Sequence, residues 1–291
     1  MVKATLTTKI QDGFQIRVYP MSLSIHLLII DPQNDFCVPN GTLFVPGADQ
    51  DMSRLAAMVD RLSSKIADIH VTLDSHRLVD IAHPIWFKDS SGNHPNPFTI
   101  ITAADVESGT WTTTIPSFRE RTLDYLKALE SGGRYPHCIW PPHCRIGSWG
   151  HNVYPELFDS LARWESQFAL VDFVTKGSNP WTEHFSGLQA EVPDPSDHTT
   201  QLNTTLIEVL EKADIVLIAG EARSHCVANT IRDLAANIDA ASVSKLVLLT
   251  DAMSDVGDPP GTTMFSDLGK ALIRDLTAMG AKTSTTLDFL S

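Results

Sequence analysis

Five short runs rich in valine, isoleucine and leucine constrain this chain more than anything else in it: residues 25–30, 69–73, 168–174, 215–219 and 246–250. They are continuously apolar rather than alternating, which predicts strands covered on both faces, as in a parallel sheet between helices. Helix-like spacing of apolar residues falls over 51–66, 118–129, 204–212, 224–237 and 264–279. This alternation predicts one α/β domain, a three-layer α/β/α sandwich around a central, mostly parallel sheet. The domain is expected over 22–291, after an N-terminal extension over 1–21. Two turn-rich stretches interrupt the pattern: an insertion at about 88–135, expected to form a lid, and 177–200.

The chain has 291 residues, 22 basic and 35 acidic, for a formal charge of −13. So large an acidic excess excludes a broad footprint for nucleic acid and suits an enzyme acting on a small molecule. No apolar run reaches the roughly 18–20 residues of a membrane span. The opening segment lacks the apolar core of a signal peptide, so a cytoplasmic setting is expected. Four cysteines, Cys37, Cys138, Cys144 and Cys226, are too few for a disulfide scaffold and are expected to be reduced.

Open parallel sheets bind ligands beyond the carboxyl ends of their strands. The residues in that position are chemically complementary: Asp31 after the first run, Lys176 after the third, and Cys226 shortly after the fourth. Cys226 falls in the first turn of the helix that follows, where free N–H groups and the helix dipole favour a thiolate. Asp31 can act as general base toward the thiol and later return a proton to a departing amine. Lys176 can orient Asp31, favour its ionised form and add positive charge beside the thiol.

A second group has metal-ligand chemistry. Asp74 and His76 stand two apart just past a strand, with His83 and His143 further on. One carboxylate with two or three imidazoles suits Zn²⁺, or alternatively Fe²⁺ or Mn²⁺. Cys138 and Cys144 have neither zinc-hook nor redox spacing and read as core or loop thiols.

Taken together, the blocks LLIIDPQNDF, GTLFVPGAD, TLDSH, WPPHC, FVTKG and GEARSHCVANTIRDLA resemble the nicotinamidase and isochorismatase-like cysteine hydrolase superfamily, nearest its nicotinamidase/pyrazinamidase branch. The resemblance covers about residues 24–255. It implies the isochorismatase-like hydrolase fold and an Asp31, Lys176 and Cys226 triad. It also implies a divalent metal, foremost zinc, on Asp74, His76 and His143, with His83 as an additional ligand. A cis peptide between Glu221 and Ala222 is implied, with the Ala222 and Cys226 amides as oxyanion hole. Phe36 and Trp140 match positions that flank the substrate ring. The activity implied is hydrolysis of a small carboxamide, foremost nicotinamide to nicotinate and ammonia as in NAD salvage, by a homo-oligomer. The cysteine points away from isochorismatases proper, which lack it. The alternatives are an amidase for another carboxamide, ureido or hydantoin-derived substrate, or a silent metal-binding member of the fold. Glu221 and the Arg223-Ser224 pair depart from the usual pattern, and Glu221 is therefore expected to contact the substrate or to pair with Arg223.

Overall fold

The computed structural model describes residues 23–258 and 261–291; the expected extension over 1–21 lies outside them. Six parallel strands form the central sheet: β1 (Ile25–Ile30), β2 (Ile66–Asp74), β5 (Asp172–Lys176), β6 (Ile215–Gly220), β7 (Leu246–Leu249) and β8 (Lys282–Ser284). Their spatial order is β5-β2-β1-β6-β7-β8. Winding runs outward from β1 through β2 to β5, then restarts at β6 and runs the other way. Crossovers between parallel strands are right-handed, so the two directions of winding put their helices on opposite faces. Accordingly α2 (Ala48–Leu62) packs with α5 (Pro155–Glu165), and α7 (Ala228–Asn237) with α8 (Met264–Ala278). The remaining long crossover carries α6 (Thr204–Lys212). This is the expected three-layer sandwich. Among the described residues no helix is long and apolar enough to cross a membrane.

Every residue of β1 is buried, as its unbroken apolar run requires. The reversal of winding leaves a crevice beyond the adjacent ends of β1 and β6, which is where such folds place ligands. Gly220 makes that crevice possible. Its φ is +117°, and a Cβ there would lie 2.0 Å from the Ile30 carbonyl oxygen. Gly220→Ala is therefore expected to cost about 3 kcal/mol or more, measured as a fall in the urea unfolding midpoint; an unchanged midpoint would contradict the packing described here.

Several boundaries differ from expectation. The helix expected over 51–66 ends at Leu62, because Ile66 pairs with Ile25 and opens β2. The strand expected over 168–174 begins only at Asp172. Phe168 has φ +64° and is fully exposed in the turn after α5. The helix expected over 224–237 opens with a wider π turn, Arg223–Val227, before α7 begins. The insertion is a folded unit that contains the helix expected over 118–129. Short strands β3 (Phe87–Lys88) and β4 (Thr112–Thr113) pair antiparallel, and α3 (Ala103–Ser108) and α4 (Arg119–Gly132) pack beside them. Trp86, Phe87, Val106, Tyr125 and Leu126 form its own apolar core.

Candidate active site

Strand register builds the site. In the β2–β5 pairing Asp74 lies opposite Lys176, and in the β1–β6 pairing Ile30 lies opposite Gly220, so Asp31 and the π turn begin side by side. The Asp31 backbone turns at φ +46°. Its amide donates to Thr72 Oγ1 at 3.0 Å, and that hydroxyl donates back to Asp31 Oδ1 at 2.6 Å. These two bonds fix the carboxylate at the strand end.

The three residues singled out in the sequence converge on one ammonium. Lys176 Nζ lies 2.9 Å from Asp31 Oδ2, 3.1 Å from Asp74 Oδ1 and 3.7 Å from Cys226 Sγ, and donates to the His184 carbonyl at 2.8 Å. Beyond that ion pair, Asp31 Oδ2 has no hydrogen-bond partner among the described residues and keeps a lone pair for a proton. Asp31 and Lys176 are buried, and Cys226 is 8% exposed. Burial opposes the charge on Lys176, but Asp31, Asp74 and Cys226 outweigh it and hold the ammonium well above its usual range.

Burial corrects two expectations. It pushes the Cys226 thiol well above its ordinary value, with Lys176 opposing and Asp31 and Asp74 adding to it. Burial thus opposes the thiolate that the helix dipole favours, and a base such as Asp31 must take the proton. Burial likewise raises Asp31 despite Lys176, which makes it a stronger base than a solvated carboxylate.

Asp74, His76 and His143 bring three ligand atoms within 4.8 Å of one another, all buried. His76 Nε2 lies 3.0 Å and His143 Nε2 3.3 Å from Asp74 Oδ2. The far ring nitrogens are anchored: His76 Nδ1 to Asp80 at 3.0 Å and His143 Nδ1 to the Pro141 carbonyl at 2.9 Å. His83 stands outside that three-atom group, but its ring packs against both imidazoles at 5.3 and 5.5 Å. Its Nδ1 is tied to the Leu78 carbonyl at 3.3 Å while its Nε2 is buried without a partner. Imidazoles anchored from behind, with a carboxylate and an orphaned nitrogen between them, fit a divalent cation. Asp74 and Asp80, outweighing burial, hold His76 well above the usual histidine range. A cation entering there would displace that proton.

A cleft of about 420 Å³, counting its open mouth, joins the two groups. Asp74, His143, Ala222 and Cys226 line it, together with Phe36 and Trp140 as expected. Leu43, Val45, Glu183, His184, Phe185, His225 and Val256 complete the wall. The sequence reading missed those seven. The signal for three of them was the turn-rich stretch after Lys176, which supplies Glu183, His184 and Phe185. No residue of the insertion lines the cleft, so the expected lid is instead a buttress: Tyr135 stacks on His225 at 5.0 Å and donates to the Ser224 carbonyl at 2.8 Å. A cis peptide joins Glu221 to Ala222. Among the described residues, neither the Ala222 nor the Cys226 amide donates to an acceptor outside its own turn.

Glu221 does not reach the cleft. It is fully buried, its Oε2 accepts from the Ser254 amide at 3.1 Å, and burial followed by nearby Asp51 raises its carboxyl well above the usual range. Arg223 pairs with Asp255 rather than with Glu221, its Nε at 2.9 Å. Both expectations for Glu221 are therefore overturned, because the backbone at the end of β6 directs it toward α2.

No family model matches the chain. Over 237 residues, 80% of this chain and 89% of the relative, it is 24% identical to the nicotinamidase of Saccharomyces cerevisiae. The crystal structure of the yeast nicotinamidase bound to the inhibitor nicotinaldehyde superposes with a TM-score of 0.59 at 20% identity, covering 90% of this chain and 99% of that one. A nicotinamidase/pyrazinamidase of Acinetobacter baumanii gives 0.58 at 20% identity, over 92% and 98%. The pyrazinamidase of Pyrococcus horikoshii in complex with zinc gives 0.50 at 18% identity, over 90% and 99%.

Proposed function

We propose that this chain is a member of the nicotinamidase and isochorismatase-like hydrolase superfamily, whose fold it shares, and a metal-containing cysteine amidohydrolase acting on a small aromatic carboxamide, foremost nicotinamide. The observation that carries this reading is Lys176 Nζ in contact with Asp31, Asp74 and Cys226 at once. That one cation ties the base, the nucleophile and the metal-side carboxylate into a single buried unit.

Asp31 Oδ2 takes the proton from Cys226 as Sγ attacks the amide carbonyl carbon. The Ala222 and Cys226 amides stabilise the developing oxyanion. Asp31 then returns the proton to the nitrogen, the C–N bond breaks, and ammonia leaves a Cys226 thioester. Water, deprotonated by Asp31, attacks the thioester; the acid product leaves and the thiol is restored. Throughout, Lys176 holds Asp31 and compensates its charge. Phe36, Trp140 and Phe185 present aromatic surface to a planar substrate. Asp74, His76, His143 and His83 would hold a divalent cation, foremost zinc, which as a Lewis acid would orient a ring nitrogen of the substrate.

Removing one ligand tests the metal assignment. His83→Ala is expected to weaken zinc binding by about tenfold or more, read by competition with a chromophoric chelator. Unchanged affinity would confine the site to Asp74, His76 and His143. The activity itself is tested by coupled ammonia assay of the metal-loaded protein with nicotinamide and pyrazinamide. Release from neither, but from a ureido substrate, would favour the alternative amidase.

A further inference from the structure

Five histidines surround the cleft and its metal-side wall, and their outer hydrogen bonds sort them into two kinds. On His76, His83 and His143 the Nδ1 atom faces an oxygen that can only accept: Asp80, the Leu78 carbonyl and the Pro141 carbonyl. Each must therefore carry a proton on Nδ1, which leaves Nε2 as the atom able to ligate. On the substrate side the bonding is reversed. The Gly177 amide donates to His184 Nδ1 at 3.2 Å, so that nitrogen holds a lone pair and the proton sits on Nε2. At His225, Nδ1 lies 2.9 Å from Ser224 Oγ, and that oxygen already accepts the Val256 amide at 3.1 Å. Ser224 is buried and, among the described residues, its hydroxyl proton has no acceptor other than Nδ1, so the arrangement that satisfies both groups places the imidazole proton on Nε2. Both rings line the cleft, and among the described residues neither Nε2 has a hydrogen-bond partner or is counted among the buried, unpartnered atoms.

We propose that His184 and His225 are specificity-determining residues, two fixed Nε2–H donors that select aromatic carboxamides carrying hydrogen-bond acceptors on the ring edge. The proposal deepens the amidase reading and rests on it. A donor left facing a C–H edge loses its hydrogen bond to water without replacement, so acceptor-bearing rings gain over isosteres that lack them. A ring bearing an amino group at the same edge sets donor against donor and is disfavoured. The same residues leave the metal side free to take one ring nitrogen, so the favoured class is diazine carboxamides over pyridine carboxamides.

Two measurements test this independently. Nitrogen-15 NMR of the histidine-labelled, metal-loaded protein, assigned through the Gly177 amide and Ser224, is expected to find Nε2–H on both rings. A proton on Nδ1 of either ring overturns the assignment, whether or not the protein releases ammonia. In parallel, kcat/KM is compared for nicotinamide, pyrazinamide, pyrimidine-5-carboxamide and 5-aminonicotinamide. At least one diazine is expected to exceed nicotinamide by about tenfold, the worth of one hydrogen bond. The amino compound is expected to fall below nicotinamide. His184→Phe or His225→Phe, each keeping an aromatic ring, should erase the diazine advantage. Equal rates for all rings, or an advantage that survives both substitutions, contradicts the proposal. Nε2–H on both rings with no ammonia from any amide upholds the donors and instead removes the amidase reading.

Discussion

Cys226→Ala is expected to lower kcat/KM for an aromatic carboxamide by about a thousandfold or more, while the thermal unfolding midpoint stays close to that of the parent protein. The asymmetry follows from the geometry. Sγ is a small group at the edge of an existing cleft, so its loss removes little packing. Chemically nothing replaces it: Cys37, Cys138 and Cys144 are buried, and burial pushes each of their thiols up. Asp31→Asn should cost a comparable factor, and the double variant little more than either alone, because base and nucleophile act as one unit. Additive losses would mean that Asp31 serves a different step. Retained ammonia release in Cys226→Ala would remove the thioester mechanism.

The second large effect concerns pH and the metal-free protein, whose stability is expected to fall as pH rises from about 6.5 to 8. Burial raises the carboxyls of Glu183 to about 8 and Glu191 to about 7. Their folded-state values lie above the unfolded ones, so the stabilisation they give is complete at low pH and is lost as pH rises through the folded values. Together the two are worth about 2–3 kcal/mol between pH 6.5 and 8, and Glu221 acts in the same direction. The buried histidines act oppositely. Burial lowers His137 to about 4 and His184 and His225 to about 3, so the unfolded chain binds protons there first and stability falls as pH drops below 6.5. Between about 4.5 and 6.5 the two sets oppose each other; below that the glutamates no longer contribute, and carboxylates held low by hydrogen bonds, such as Asp194 at about 2, act in the same direction as the histidines. Thermal unfolding across pH 4–8 checks the sign, and Glu191→Gln should flatten the alkaline limb. A midpoint that climbs steadily from pH 6.5 to 8 would contradict this account.

Much of this architecture is legible in the sequence because apolar continuity and helical spacing act locally. β1 occupies the predicted residues, and α6 likewise. β8, residues Lys282–Ser284, is three polar residues on the sheet edge and offers no apolar signal. The run at Phe168 misleads for the opposite reason: its apolar side chains are spent on an exposed turn. The insertion's core is invisible locally, since its members come from separate segments and meet only after folding. At the site, Asp31, Lys176 and Cys226 are legible as strand-end chemistry, a property of topology. The protonation of Cys226 is not, because it depends on burial from all sides. The direction of Glu221 is not legible either, because it is decided by the backbone beyond β6 rather than by residue type.

The central claim is that Cys226 carries the acyl group. Acid quench of the metal-loaded protein during turnover of nicotinamide, followed by peptide mass spectrometry, tests it most directly. The acyl mass is expected on the peptide containing Cys226, absent from those containing Cys37, Cys138 and Cys144, and discharged by hydroxylamine. Turnover in Cys226→Ala, or steady ammonia release with the acyl group on another residue, would contradict it.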